Sequence, residues 1–444
     1  MPKSQSDAPL DGAVQDISSN YKWYVLIMLT IMYTFNFIDR QILVILQEPI
    51  KAELGLSDTQ LGLLTGLAFA ALYVTLGIPI ARYADLNNRK NVVAVSLAVW
   101  SAMTVLCGRA MNFTQLFMAR IGVGIGEAGG SPPAHSIISD YFPPEKRATA
   151  LSIYSTGIYI GIFLGYIVGG VIAKYYGWRV AFYAMGIPGV LFALWIYFTI
   201  KEPIKGQMDL QPIDTTANDS GSRDNDPKLR EVISNLLGKK TFIYAALAAG
   251  FHTFTSYGVG NFLPSFLQRV HDIDIATAAI VLGLTTGAGG FIGTFLGGYI
   301  ADKLRDRDMR WYLWVPLIAG FLNIIPSLIL FLTENGQLAM IMTFFTGSLT
   351  AFFLGPTIAV THSLVGPKMR AFASAILFFI LNLIGLGFGP LVVGLVSDAL
   401  IPTYGDESLR YAFLTTLIAA TISMVFTFLA AKNYKKDLAE ATLS

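Results

Sequence analysis

The chain has 444 residues, of which 54% are hydrophobic and only 14% charged, with 42 glycines and a formal net charge of +2. A soluble domain carries about 25% charged residues, so the composition excludes one, and the lack of a clustered basic excess excludes a nucleic-acid partner. The single cysteine, Cys107, rules out an internal disulfide framework and reads as a small core residue in an apolar run.

The first twenty residues are polar and lack the short apolar core and cleavage site of a signal peptide, which predicts a polar tail over 1–20. A spanning helix needs roughly 20 mainly apolar residues. That ruler predicts six spans near 23–46, 59–83, 91–109, 113–139, 148–173 and 180–200. Six more follow near 241–267, 276–301, 311–332, 338–363, 369–397 and 409–431. The polar stretch between the halves is too poor in apolar residues to fold alone and reads as a linker, with a short amphipathic helix near 229–237. The predicted architecture is an all-α membrane protein of twelve transmembrane helices. Two pseudo-symmetric six-helix bundles, 21–200 and 240–432, are joined by a linker at 201–239 and followed by a tail at 433–444.

Basic residues set the orientation. Of the 31 lysines and arginines, 23 fall on the side that holds both termini, 6 on the opposite side and 2, Arg40 and Arg120, inside spans. Both termini and the linker are therefore expected in the cytoplasm. The halves also repeat each other. Pro133 to Arg147 spans fourteen residues, as does Pro356 to Arg370, at an offset of 223. Gly161, Gly165 and Gly170 match Gly385, Gly389 and Gly394 at an offset of 224. Parallel repeats of six spans are the mark of a transporter that binds its substrate between the halves near the bilayer midplane.

Along the chain, "FNFIDRQILV" (35–44) sets Asp39 and Arg40 side by side in the first span. Consecutive helix residues point about 100° apart, so the two cannot neutralise each other on one face, and each needs a partner or a watery cavity. "GIPIARYADLNNRK" (77–90) and "GGYIADKLRDR" (297–307) end their spans with an acid followed by bases. Both resemble the signature loop of the major facilitator superfamily, with Ala81 and Leu86 departing from its pattern. They predict a cytoplasmic latch in which Asp85 and Asp302 pair with Arg147 and Arg370, beside Arg89. "ARIGVGIGEAGGSPPAH" (119–135) supplies Arg120 and Glu127, seven residues apart on one face of the fourth span, roughly 10 Å from each other. "GIYIGIFLGYIVGG" (157–170) spaces glycines for close helix packing. It also resembles the antiporter motif of the superfamily, with Tyr166 where that motif has proline.

Depth relates the four charges. Asp39 lies about 22 Å along a span that enters near Tyr24, some 8 Å short of the far side of a hydrocarbon core about 30 Å thick. Arg120 lies roughly 10 Å below the same surface, and Glu127 sits lower, just past the midplane. The expectation is that Asp39 pairs with Arg120, Arg40 turns to another face, and Glu127 is left over. A carboxyl without a fixed counter-charge in low dielectric can exchange a proton near neutral pH. The plainer reading, that the charges only cement the first bundle, is opposed by the absence of matching charges in the second.

"NFIDR", "NNRK" after Asp85 and "RIGVGIGEA" together resemble the Spinster family of the major facilitator superfamily. The match covers the first half well and the second in general layout. The resemblance implies that Asp39, Arg40, Arg120 and Glu127 are functional charges and that the substrate is an amphipathic lipid such as a lysophospholipid or sphingosine phosphate. The compact loops look bacterial, so the inner membrane is the expected location; a multi-pass monomer is also expected.

The function expected is secondary active transport by alternating access, with protons as the coupling ion, no other cofactor and no metal. Asp39 and Glu127 are the candidate proton sites, and Arg40 and Arg120 the charge network or substrate-anion site. Tyr33, Asn36, Tyr159, His252, Tyr257, Asn261, Phe352 and Phe353 are the candidate walls of a cavity for a small amphipathic substrate, with membrane lipid around the protein. His135 and His362 read as structural. With neither a metal-ligand cluster nor a nucleophile–base pair at usable spacing, no enzyme is expected. The alternatives are a transporter of a small organic anion or drug and, in a different class, a receptor that binds without transport.

Overall fold

The computed structural model describes residues 18–208, 234–366 and 369–443, and these residues form helices joined by short turns, with no strand among them. Residues 1–17 of the predicted 1–20 tail, linker residues 209–233 and most of the expected amphipathic helix lie outside the described residues.

The first span runs Ser19–Ile45, opened by the Ser18 side chain accepting from the Tyr21 N–H, and turns by 53° into the short helix Gln47–Leu54. The second is Asp58–Thr65 and Leu67–Leu86, broken at Gly66 and started by a reciprocal Ser57–Gln60 cap. The third, fourth, fifth and sixth are Arg89–Arg109, Phe113–Glu127 with Ser131–Tyr141, Pro144–Tyr176, and Trp178–Thr199. The seventh, eighth and ninth are Lys240–Val270, Ile275–Arg305 and Trp311–Leu332. The tenth is Gly336–Thr350 with Leu354–Ser363. The eleventh is Arg370–Leu381 and Gly389–Tyr404, joined by the π-helical turns Asn382–Phe388. The twelfth, Ser408–Leu443, runs through residues predicted as a tail. They stay helical because Tyr434 is buried and Asp437 accepts from the Thr241 N–H at 2.6 Å, fastening the end of the chain to the start of the seventh span.

By length and composition alone, eight helices among the described residues could cross a membrane, or nine with the bent first span. The run Phe372–Glu440 counts once there although the chain reverses at Gly405, which holds the eleventh and twelfth spans. The fourth and seventh fall outside that count. One is interrupted at 128–130; the other carries His252, Thr253, Thr255, Ser256 and Asn261. Twelve spans therefore stand.

The repeat shows in the packing. The fifth span lies on the first and the eleventh on the seventh. A Cβ at Gly161 would meet the Phe37 Cβ at 2.5 Å, and one at the matching Gly385 would meet the Thr253 hydroxyl at 2.2 Å. Only glycine allows these backbones to approach so closely. Between the halves, the fifth span meets the eighth and the second meets the eleventh. Every ion pair that joins the halves among the described residues lies at the end away from the termini: Arg269 with Glu48 and Asp58, and Lys174 with Asp274. The molecule is thus fastened at that far end.

Candidate functional site

Arg40, not Asp39, makes the ion pair. Its Nε donates to one oxygen of Glu127 at 2.8 Å, and a terminal nitrogen lies 2.8 Å from the same oxygen. The rings of Phe69, Tyr73 and Phe37 surround the guanidinium at 4.6, 4.9 and 5.0 Å. Arg120 donates to the backbone carbonyl of Asp39 at 3.2 Å. Both carboxylate oxygens of Asp39, the second oxygen of Glu127, the Nε of Arg120 and the side-chain oxygen of Asn36 are buried without a hydrogen-bond partner. The expected Asp39–Arg120 pair is therefore replaced by Arg40–Glu127.

The reason is the lean of helical side chains. Each Cα–Cβ bond tilts toward the N-terminus of its own helix. The first and fourth spans run antiparallel, so Arg40 leans toward the termini-bearing end and Glu127 leans away from it, and the two converge. Asp39 and Arg120 start at the same depth and lean apart. Arg120 then finds the Asp39 carbonyl, which points along the first span in the direction that Arg120 leans. Glu127 stands where it does because its helix ends there: Gly129 and Gly130 follow, and Pro132 and Pro133 open the next segment.

The Glu127 side chain is fully buried, whereas that of Arg40 retains 16% exposure. Arg40 is accordingly the part of the pair that a small molecule can touch. Tyr257, from the other half, packs into the cluster of first-half core residues with Leu386. Tyr33 stacks on Tyr154 at 4.4 Å.

A separate cavity of about 310 Å³ opens inside the second half and reaches the fifth span. Tyr159, His252 and Phe353 line it as expected. His252 donates from Nε2 to the Thr350 carbonyl at 2.9 Å and lies 4.1 Å from the Phe353 ring. Its polar wall includes Thr255, Ser256, Asn323, Thr343, Thr346 and Thr350, and no Lys, Arg, Asp or Glu lines it. Asn261 is buried, and Phe352 packs against the core at the termini-bearing end of the second half. Tyr33, Asn36, Tyr257, Asn261 and Phe352 therefore stand outside this cavity.

The expected latch is not assembled. Asp85 lies 3.8 Å from Lys205, while Arg147 sends its Nε to the carbonyls of Ser139 and Phe142 at 2.9 and 3.1 Å. Asp302 accepts from the Tyr312 hydroxyl at 2.6 Å, and Arg370 is exposed. Arg89 is buried and holds Asp140 and, at 2.7 Å, Glu202, which fastens the residues after the sixth span to the first half. Fastening at the far end instead involves Asp58, Arg269 and Asp398, which no motif in the sequence singles out. The usable signal was the 224-residue offset, which aligns Lys174 with Asp398.

Similarities to known proteins bear on this arrangement. The model of the Major Facilitator Superfamily matches residues 29–383. A protein of Mycolicibacterium smegmatis described as an "MFS-type efflux pump" is 32% identical over 421 residues, covering 94% of each chain. In Bacillus subtilis, a protein described as "Probable galactarate/D-glucarate transporter GudP" is 27% identical over 341 residues, 73% of this chain and 74% of that one. The crystal structure of a bacterial homologue of the human lysosomal transporter Spinster, inward-facing and unoccupied, superposes with a TM-score of 0.87 at 32% identity, covering 95% of this chain and 99% of that one.

Proposed function

The chain belongs to the major facilitator superfamily as a Spinster-like transporter, and from that premise we propose that it couples proton movement to the passage of an amphipathic anion by alternating access. Asp39 carries the proposal: a carboxylate at 1% exposure with neither oxygen engaged. An ionised carboxylate left so is costly in a low dielectric, and a proton is the smallest donor that can satisfy it. Glu127 is the second proton site. When Glu127 takes a proton its hold on Arg40 weakens, and Arg40, the partly exposed cation, becomes free to bind a phosphate or carboxylate of the substrate.

The hydroxyl-rich cavity of the second half, without charged walls, suits the uncharged portion of such a substrate. With both termini in the cytoplasm of a bacterium, as the basic residues favour, fastening at the far end makes this the inward-open form. A polyhydroxy acid is the second reading, favoured by the Bacillus relative described as a galactarate/D-glucarate transporter and by the hydroxyl-lined wall. Reconstituted protein offered a labelled lysophospholipid or a hexarate under a pH gradient separates the two. The proposal expects lysophospholipid movement that follows the gradient. Uptake of hexarate alone, or uptake indifferent to the gradient, overturns it.

A further inference from the structure

The far end is closed by one densely bonded cluster. Arg269, near the end of the seventh span, grips Glu48 through two nitrogens at 3.0 and 2.8 Å and Asp58 through two at 2.8 and 2.6 Å. Asp58 is fully buried and also accepts from Lys51 and from Ser397, both at 2.6 Å. Asp398, on the eleventh span, accepts from the backbone N–H groups of Asp58 and Thr59 at 2.9 and 2.7 Å, and so caps the second span from the opposite half. Three of the four hydrogen bonds to the Asp58 carboxylate therefore cross between the halves, as does every bond given to the Asp398 carboxylate.

The other seam is built on the matching positions but held far more weakly. Lys174, which aligns with Asp398 at the 224-residue offset, reaches the N-terminus of the eighth span by pairing with Asp274 at 2.9 Å. Gly170 and Gly394, also matched, each lie hard against the opposite half: a Cβ on either would come within 2.3 Å of Ala279 or of the Asp58 carbonyl. Yet the side chains of Lys174 and Asp274 are 42% and 45% exposed, so that pair is screened by solvent, whereas Asp58 is not exposed at all.

We propose that Asp58, Arg269 and Asp398 form the bolt of the outer gate, and that release of this seam, rather than of the Lys174–Asp274 seam, controls passage to the outward-open form. Opening strips Asp58 of Arg269 and Ser397 and leaves it with Lys51 alone. Asp398 loses the helix end that it caps. Such a cluster stores most of the preference for the closed outer face at one point, and a substrate or proton bound in the interior has to outweigh it. The proposal rests on the alternating-access reading above but on none of the proton or substrate assignments.

The test uses the full chain with Cys107→Ser and Ser265→Cys. Ser265 is fully buried and bonded to Gln47 at 3.1 Å across the closed face, so a thiol there reports its opening. A membrane-impermeant maleimide is applied to the far side of sealed vesicles, without substrate or pH gradient. Arg269→Gln and Asp398→Asn each raise the labelling rate by about tenfold or more, while Lys174→Gln changes it by less than about twofold. If Arg269→Gln fails to fold, Asp398→Asn carries the test, since the groups facing its carboxylate are backbone N–H groups of the second span. Labelling at the parent rate in a well-folded Asp398→Asn protein overturns the bolt, and an equal rise in Lys174→Gln overturns the inequality of the seams. Neither outcome touches the proton-coupling proposal, which is read by transport.

Discussion

A double-mutant cycle on Arg40 and Glu127 tests which charges are partners. Removing one member of a buried ion pair costs about 3–5 kcal/mol, because the other charge is left behind. Glu127 is fully buried but Arg40 retains 16% exposure, so the lower part of that range applies to Glu127→Gln. Arg40 keeps its three aromatic neighbours in that variant, each worth about 0.5–2 kcal/mol. Arg40→Gln loses those contacts as well as the pair. The double variant leaves no stranded charge, and the expected coupling between the sites is about 2 kcal/mol, or roughly thirtyfold in the unfolding equilibrium. For Asp39 and Arg120, whose side chains share no hydrogen bond with each other, the expected coupling is under about 1 kcal/mol. Reversible unfolding in mixed micelles, with Asp39→Asn and Arg120→Gln as the second cycle, measures both. A larger coupling for Asp39 with Arg120 than for Arg40 with Glu127 refutes the pairing and the side-chain lean that explains it.

Arg40→Lys keeps the charge but loses the planar fork, and is expected to weaken binding of an anionic substrate by about tenfold while sparing an uncharged analogue; equal losses for both would mean that Arg40 does not meet the anion. Gly161→Leu forces a side chain into the Phe37 and Thr34 contacts and is expected to cost about 1–3 kcal/mol; an unchanged unfolding midpoint would remove the close-packing account of the first and fifth spans. Asp274 has its carboxyl held down to about 2 by Thr277 and Lys174. A depressed acid contributes its stability above its unfolded pKa and loses it only as pH falls through the folded value. Its pair is therefore constant between about pH 5 and 8. Asp274→Asn should leave the pH profile of transport unmoved over that window, and a shifted profile would place a titrating group at that seam.

Much of the fold was legible because a membrane segment has to be long and apolar, and because the glycine and proline positions recur at a near-constant offset. The four interior charges stood out for the same reason: Asp39, Arg40, Arg120 and Glu127 interrupt apolar runs. Their pairing was not legible from depth. Asp39 and Arg120 lie level, but level Cα atoms on antiparallel helices send their side chains past one another, and a long Arg40 chain covers the height that separates it from Glu127. The bolt was hidden for another reason. Asp58, Arg269 and Asp398 sit at span ends more than a hundred residues apart, where charged residues are ordinary anchors, and only the folded chain shows that they meet. The expected Asp85 and Asp302 latch concerns closure at the opposite end, and the conformation seen here is closed at the end away from it.

The most direct test of the central claim is proton-driven accumulation in proteoliposomes by the wild type and by Asp39→Asn, alongside exchange of labelled for unlabelled substrate with no gradient. The account predicts that Asp39→Asn still exchanges substrate but no longer accumulates it against a concentration difference when a pH gradient is imposed. Accumulation by Asp39→Asn to the wild-type level would contradict it.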